Sequence, residues 1–200
     1  MAKTSLRMIF GSLAAWLLIC GAALAQSDPQ SAVARLGDGH IETGTLPEAG
    51  SDILWGRAQA IVNAPLEQVM RVVQDYGRYS EFLPHFTVSR VLSQKGANAT
   101  VYMEALVIKK TLKVWVQASF RERPRQGNTR IIEGKMMQGN INRLNARWEI
   151  TPLADGRTLV AFQMLFDPKL PLPDSMISNE NSKAASRTIK ALREKRLSAK

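Results

Sequence analysis

Reactive side chains are scarce in this sequence. It holds one cysteine, Cys20, and two histidines, His40 and His85. Soft and borderline metals are held by clusters of thiolate and imidazole, so two separated histidines argue against a transition-metal site. A lone cysteine forms no intrachain disulfide and no paired thiol for redox work. Phosphate chemistry finds no Gly-rich loop, and acyl transfer finds no nucleophile elbow. Ser89 and Ser119 have no evident His–Asp partners, and Glu81, Glu104, Glu122, Glu133 and Glu149 are scattered along the chain. Catalysis needs groups that converge, and no residue is singled out as catalytic.

Long apolar runs are also lacking, with one exception at the start. Lys3 and Arg7 precede an apolar stretch over residues 8–25 that ends in Ala23-Leu24-Ala25. A short positive region, an apolar core and small residues at its end read as a secretory signal over residues 1–25, cut between Ala25 and Gln26. The run is too short and too weakly flanked for a permanent membrane helix. Cys20 follows Ile19, where a lipid attachment site wants a small residue; it is expected to leave with the signal. The expected destination is the bacterial periplasm.

Charge is lopsided. The formal net charge is +10, and without Lys3 and Arg7 it is +8. Between residues 183 and 200, seven bases oppose one acid, Glu194, so +6 sits on one terminal segment. Cations near a helix C-terminus complement its dipole. Lys183, Arg187, Lys190, Arg193 and Arg196 would also suit transient contact with an anionic membrane surface. No aromatics interleave with them, which argues against nucleic acid.

Residues 26–50 are polar and rich in glycine, and read as a flexible leader. From residue 51 the periodicity is regular. Residues 53–63 alternate as a strand. Pro65 then opens a helix, with Leu66, Val69, Val72, Val73 and Tyr76 at helical spacing and Gly77 as its stop. A second short helical piece ends at Pro84. Turn chemistry at short intervals next predicts an antiparallel meander of six strands. The LPLP segment breaks the pattern, and a long helix runs from Asp174 or Ser175 to near Arg196.

The last hairpin predicts its own register. If Leu153 pairs with Arg157, then Ile150 faces Val160, Trp148 faces Phe162, Ala146 faces Met164 and Leu144 faces Phe166. All eight are apolar and share one side of the sheet. A sheet with one apolar face must be covered, and the terminal helix is the only long element available. This gives an α+β fold in which seven curved antiparallel strands, in the order β-α-α-β6-α, wrap one long helix.

The segments AIVNAPLEQVMRVVQDYGRYSEFLP, SRVL and ARWEITPLADGRTLVAFQMLFDP, with the LPLP loop leading into ENSKAASRTIKALREKR, resemble the START-like (SRPBCC, helix-grip) superfamily. Within it the chain is most similar to the coenzyme Q-binding and polyketide cyclase-like group, over roughly residues 54–196. The resemblance implies a hydrophobic tunnel between sheet and helix, used to bind or carry lipids, sterols, quinones or polyketides. No cofactor is expected.

The domain is therefore expected over residues 51–197. The walls of its cavity are expected from Trp148, Phe162, Met164, Phe166, Met136 and Met103. The greasy corner YSEFLPHF should supply the mouth through Phe82, Leu83 and Phe86, with Ile177, Ile189 and Leu192 as the helical floor. Ordinary core filling is the competing reading for each of them. Two other functions stay open: a cyclase or hydratase using the same cavity, and a periplasmic adaptor whose cavity is vestigial. An inward unpaired acid or arginine would favour the first, and a packed interior the second.

Overall fold

The structure, a computed structural model, describes residues 29–37, 39–107 and 112–198, without the side chains of residues 29, 30 and 196–198. The expected signal over residues 1–25, its Ala25–Gln26 cut and Cys20 lie outside the described residues, as do the Lys109–Lys110 turn and the Arg196 side chain. The elements are α1 (Pro29–Leu36), β1 (Glu42–Glu48), β2 (Ser51–Val62), α2 (Leu66–Gln74), a 3-10 turn (Tyr76–Arg78) and α3 (Tyr79–Phe82). There follow β3 (Phe86–Lys95), β4 (Asn98–Val107), β5 (Leu112–Gln126), β6 (Thr129–Gly139), β7 (Arg143–Pro152), β8 (Thr158–Asp167) and α4 (Asp174–Ser198).

The sheet has eight strands rather than seven, antiparallel in the order β1-β2-β8-β7-β6-β5-β4-β3. The extra strand lies in the segment read as a flexible leader, so that reading is corrected from Pro29 onward. Strand β1 is polar and carries Pro47 at a register shift. It is held by backbone pairing to β2 and by polar contacts of Glu48 with Trp55 and Arg143. Helix α1 buries Ala32 and Leu36 against Ile61 and Leu159 on the outer side of the sheet. Neither segment shows an apolar repeat long enough to announce itself.

The last hairpin has the register expected of it, with Trp148 opposite Phe162 and Leu144 opposite Phe166. The sheet must curl strongly. Strands β4 and β8 are four places apart, which is roughly 19 Å in a flat sheet, yet both line one cavity. Register shifts in β3 and β6 allow the bending, and the exposed Leu92 and Met137 are the unpaired residues at two of them.

Helix α4 lies in the trough. It approaches β2 so closely that a Cβ at Gly56 would sit 2.0 Å from the Asn181 carbonyl carbon and oxygen. Pairing between β2 and β8 stops at Gly56 opposite Met164, and α4 side chains take over the backbone groups beyond. The Leu54 N–H donates to Ser178 Oγ (2.9 Å), and Asn181 Nδ2 donates to the Leu54 carbonyl (3.1 Å). The Phe166 N–H donates to Asn181 Oδ1 (3.2 Å). Asn181 and Ser178 are buried, and these bonds make their burial tolerable.

The trough is filled at one end. Trp148 packs on Phe162 with ring centroids 4.3 Å apart, and Tyr76 stacks on Phe120 at 4.6 Å. Ile132, Ile150, Ile189 and Leu192 are buried in the same cluster, beneath α2. Gly134 is part of this packing, because a Cβ there would lie 2.7 Å from the Phe120 ring. Arg130 and Glu122 share the inward phase but form a two-pronged pair at 2.7 and 2.9 Å, with Glu67 of α2 at 3.5 Å. Burial first, and the Glu122 charge second, push the Tyr76 phenol well above its ordinary range. Helix α2 ends at Gln74, earlier than Gly77, with the 3-10 turn continuing the chain.

Candidate functional site: an apolar cavity under the terminal helix

The other end of the trough is open. It encloses a cavity of about 680 Å³ between the inner sheet face and the first half of α4. The sheet contributes Met103, Ala105 and Val107 from β4, Val114 and Val116 from β5, Leu144 from β7, and Met164 and Phe166 from β8. Helix α4 contributes Ile177, Ala184 and Thr188, and the segment before it Pro168 and Leu172. The volume falls in the roughly 300–1,000 Å³ range of small-molecule sites, and the walls have the apolar character of such sites.

Polar groups of the lining are either saturated or at the rim. Asn181 is committed to β2 and β8 as described. Thr188 Oγ1 donates to the Ala184 carbonyl (3.0 Å) within its own helix. Glu104 turns to the outer face, where it accepts from Tyr102 Oη (2.7 Å) and pairs with Lys113 (2.7 Å). Those two hydrogen bonds, Lys113 first, hold its carboxyl below the usual range. At the mouth, Glu180 pairs with Lys183 at 2.8 Å and with Arg187 at 3.7 Å. The Lys183 hydrogen bond dominates and lowers the Glu180 pKa against the opposing effect of burial.

His85 is exposed on the lip. It is the one non-glycine residue with positive φ (73°) among the described residues, and its carbonyl accepts the Leu106 N–H (2.9 Å). Such a conformation costs about 1–3 kcal/mol and persists only where neighbours fix it; here the bond to β4 fixes the turn from Pro84 into β3. Each displaced carboxylate among the described residues is displaced downward. A general acid working near neutral pH needs the opposite shift.

Residues 62–193 match the family described as polyketide cyclase / dehydrase and lipid transport. The chain belongs to this family. Solved structures with the same architecture include a STAR-related lipid transfer protein from Xanthomonas axonopodis (TM-score 0.69, 18% identity, 78% of this chain and 93% of that one). A START superfamily protein from Mycobacterium smegmatis aligns with TM-score 0.64 and 19% identity over 73% of this chain and 99% of the other. Human StAR-related lipid transfer protein 5 aligns with TM-score 0.67 and 14% identity over 80% and 83%. No curated protein sequence matches the chain significantly. At these identities the likeness concerns the fold, which is the START-like helix grip.

Within this START-like fold the expected site residues separate into two groups. Met103, Met164, Phe166, Phe86 and Ile177 line the cavity. Trp148, Phe162, Leu83, Ile189 and Leu192 do not: they are buried in the packed end. Met136 packs partly buried against that cluster. Phe82 lies edge-on to Tyr79 with the Lys195 ammonium 5.9 Å from its ring, away from the mouth. The cause is depth. The hairpin register assigns all its inward residues to one face, but does not say where along the strands α2 and the large rings fill the trough.

The β5 wall and the Ala105 and Val107 positions beside Met103 on β4 were missed, although Met103/Ala105/Val107 and Val114/Val116 alternate cleanly across one hairpin. The rim on α4 was missed too. Lys183 and Arg187 were read as members of a general basic face, whereas both border the cavity. That face is also less uniform than expected, since Arg193 donates to the Gly39 carbonyl (3.0 Å) and Lys195 pairs with Glu81 (3.0 Å).

Proposed function

We propose that this chain is an exported binding and carrier protein that buries an apolar ligand, of lipid, quinone, sterol or polyketide type, between its sheet and α4. The observation that carries the reading is the 680 Å³ cavity whose inner walls are aliphatic, aromatic and thioether side chains. About ten methylene groups buried there would gain roughly 8 kcal/mol before ordering costs, so burial of the chain is the main driving force for uptake. The family description and the lipid transfer proteins of like fold support the same class.

A cyclase working in this cavity would need a proton donor or acceptor among the inner walls. The ionisable lining groups described are His85, Glu104, Glu180, Lys183 and Arg187, all on the lip, the outer face or the outward turns of α4. An adaptor with a vestigial cavity would need that space filled. Both readings are weaker than the carrier for these reasons. Delivery would involve transient docking to an anionic bilayer through Lys183, Arg187, Lys190 and neighbouring bases.

Export is tested by the mature N-terminus. Protein recovered from the cell envelope should begin at Gln26; a chain still carrying Met1 or a lipid on Cys20 contradicts it. The cavity is tested by filling it. Ala105 lines the wall of β4, and Ala105→Trp should abolish uptake of a fluorescent acyl probe while shifting the melting temperature by only a few degrees. Undiminished uptake would place the ligand elsewhere.

A further inference from the structure

The cavity is apolar in depth but carries excess positive charge at its lip. Building on the carrier reading above, we propose that the preferred ligand is a single-chain amphipath with an anionic head, a carboxylate or a phosphate monoester, bound at the mouth by Arg187 and Lys183. Its chain would run inward along Ala184 toward Met164 and Phe166.

Three observations carry this. First, Lys183 and Arg187 are four residues apart on α4, so they stand on one face a turn apart, and both border the cavity. Second, a single carboxylate serves the two of them. Glu180 takes a short hydrogen bond from Lys183 (2.8 Å) but meets Arg187 only at 3.7 Å, and the Arg187 side chain is 40% exposed. A guanidinium grips a carboxylate or phosphate through two parallel bonds of about 2.7–2.9 Å; the 3.7 Å contact with Glu180 engages that fork only loosely. Third, the other acid on the lining, Glu104, is turned outward to Lys113 and Tyr102 and does not offset the charge. A cationic head would meet two bases here, and a neutral head would leave the guanidinium with only its long contact to Glu180. One cavity of this volume suits one guest of modest size.

The test uses the mature protein loaded with a fluorescent acyl probe and a panel of competitors with one chain and four heads: hexadecanoate, hexadecyl phosphate, hexadecanol and methyl hexadecanoate. The two anions should displace the probe at concentrations about tenfold or more below the two neutral compounds. Arg187→Gln should bring the anions to the level of hexadecanol and leave hexadecanol unchanged. Lys183→Gln, at an exposed position, should do the same in smaller degree. Glu180→Gln should tighten the anions and not the alcohol.

Equal displacement by all four heads overturns the proposal while leaving the carrier reading intact. So does an Arg187→Gln variant that weakens alcohol and anion alike. Displacement by millimolar inorganic phosphate alone would mean a plain anion site. Loss of binding to phosphatidylglycerol vesicles in Arg187→Gln, with no head preference in the cavity, would assign these bases to bilayer docking instead. If neither the probe nor any competitor binds, the carrier reading falls first and this one with it.

Discussion

Gly56→Ala is expected to lower the melting temperature by roughly 10 °C or to abolish folding. The added Cβ would lie 2.0 Å from the Asn181 carbonyl and 2.3 Å from the Ser182 nitrogen, which are backbone atoms of a long helix and cannot swing aside. Overpacking alone costs about 1–3 kcal/mol, and more where nothing relaxes. Moving α4 outward would also break the Asn181 and Ser178 bonds to Leu54 and Phe166, each worth about 1–3 kcal/mol once a buried partner is left unmade. At about 2–4 °C per kcal/mol for a chain of this size, the sum reaches the stated range. Gly44→Ala is the control, because nothing lies within 4 Å of its Cβ position. A melting curve in which the two variants behave alike would mean that α4 does not sit as closely on β2 as described.

Trp148→Ala should also be severely destabilising, by about 3–5 kcal/mol, as expected for truncating a large buried aromatic. Trp148 is only 4% exposed and packs against Phe162, its ring tilted by 39°, in the filled end of the trough. Phe166 gives the contrast. It stands on the same face two pairs farther along the hairpin, but on the cavity wall and only partly buried. Phe166→Ala should cost less than the roughly 3–5 kcal/mol of a core aromatic truncation and act chiefly on probe affinity. Comparable losses of stability for the two variants would mean that the cavity is closed in solution and that Phe166 is core.

The contrast between these two residues marks how far the sequence could be read. The fold was legible because its signals are local and redundant. The turn at residues 154–156 fixes a hairpin, the hairpin fixes a face, and the face demands a covering helix. The START-like resemblance rests on the same segments. The first strand was not legible because β1 is stabilised by backbone pairing and polar contacts, with no apolar phase to detect. The site was legible only in part. Inward phase is a property of a strand and can be read from alternation, whereas depth in the trough depends on where α2 lands, which no single segment encodes. Met103, Met164 and Phe166 and the core residues Trp148 and Phe162 carry the same signal and part company only in three dimensions. The rim at Lys183 and Arg187 was hidden in a run of bases whose members serve different ends, with Arg193 bonded to Gly39 and Lys195 to Glu81.

A carrier must hold a guest in its interior. Native mass spectrometry of the protein purified from the cells that make it, followed by organic extraction of whatever dissociates, tests this most directly. The wild-type species should be heavier than its own chain by one apolar molecule, recovered in the extract, and the Ala105→Trp variant should appear at its bare mass. A wild-type protein found only at its bare mass, and unable to take up an acyl probe when offered one, would contradict the carrier reading.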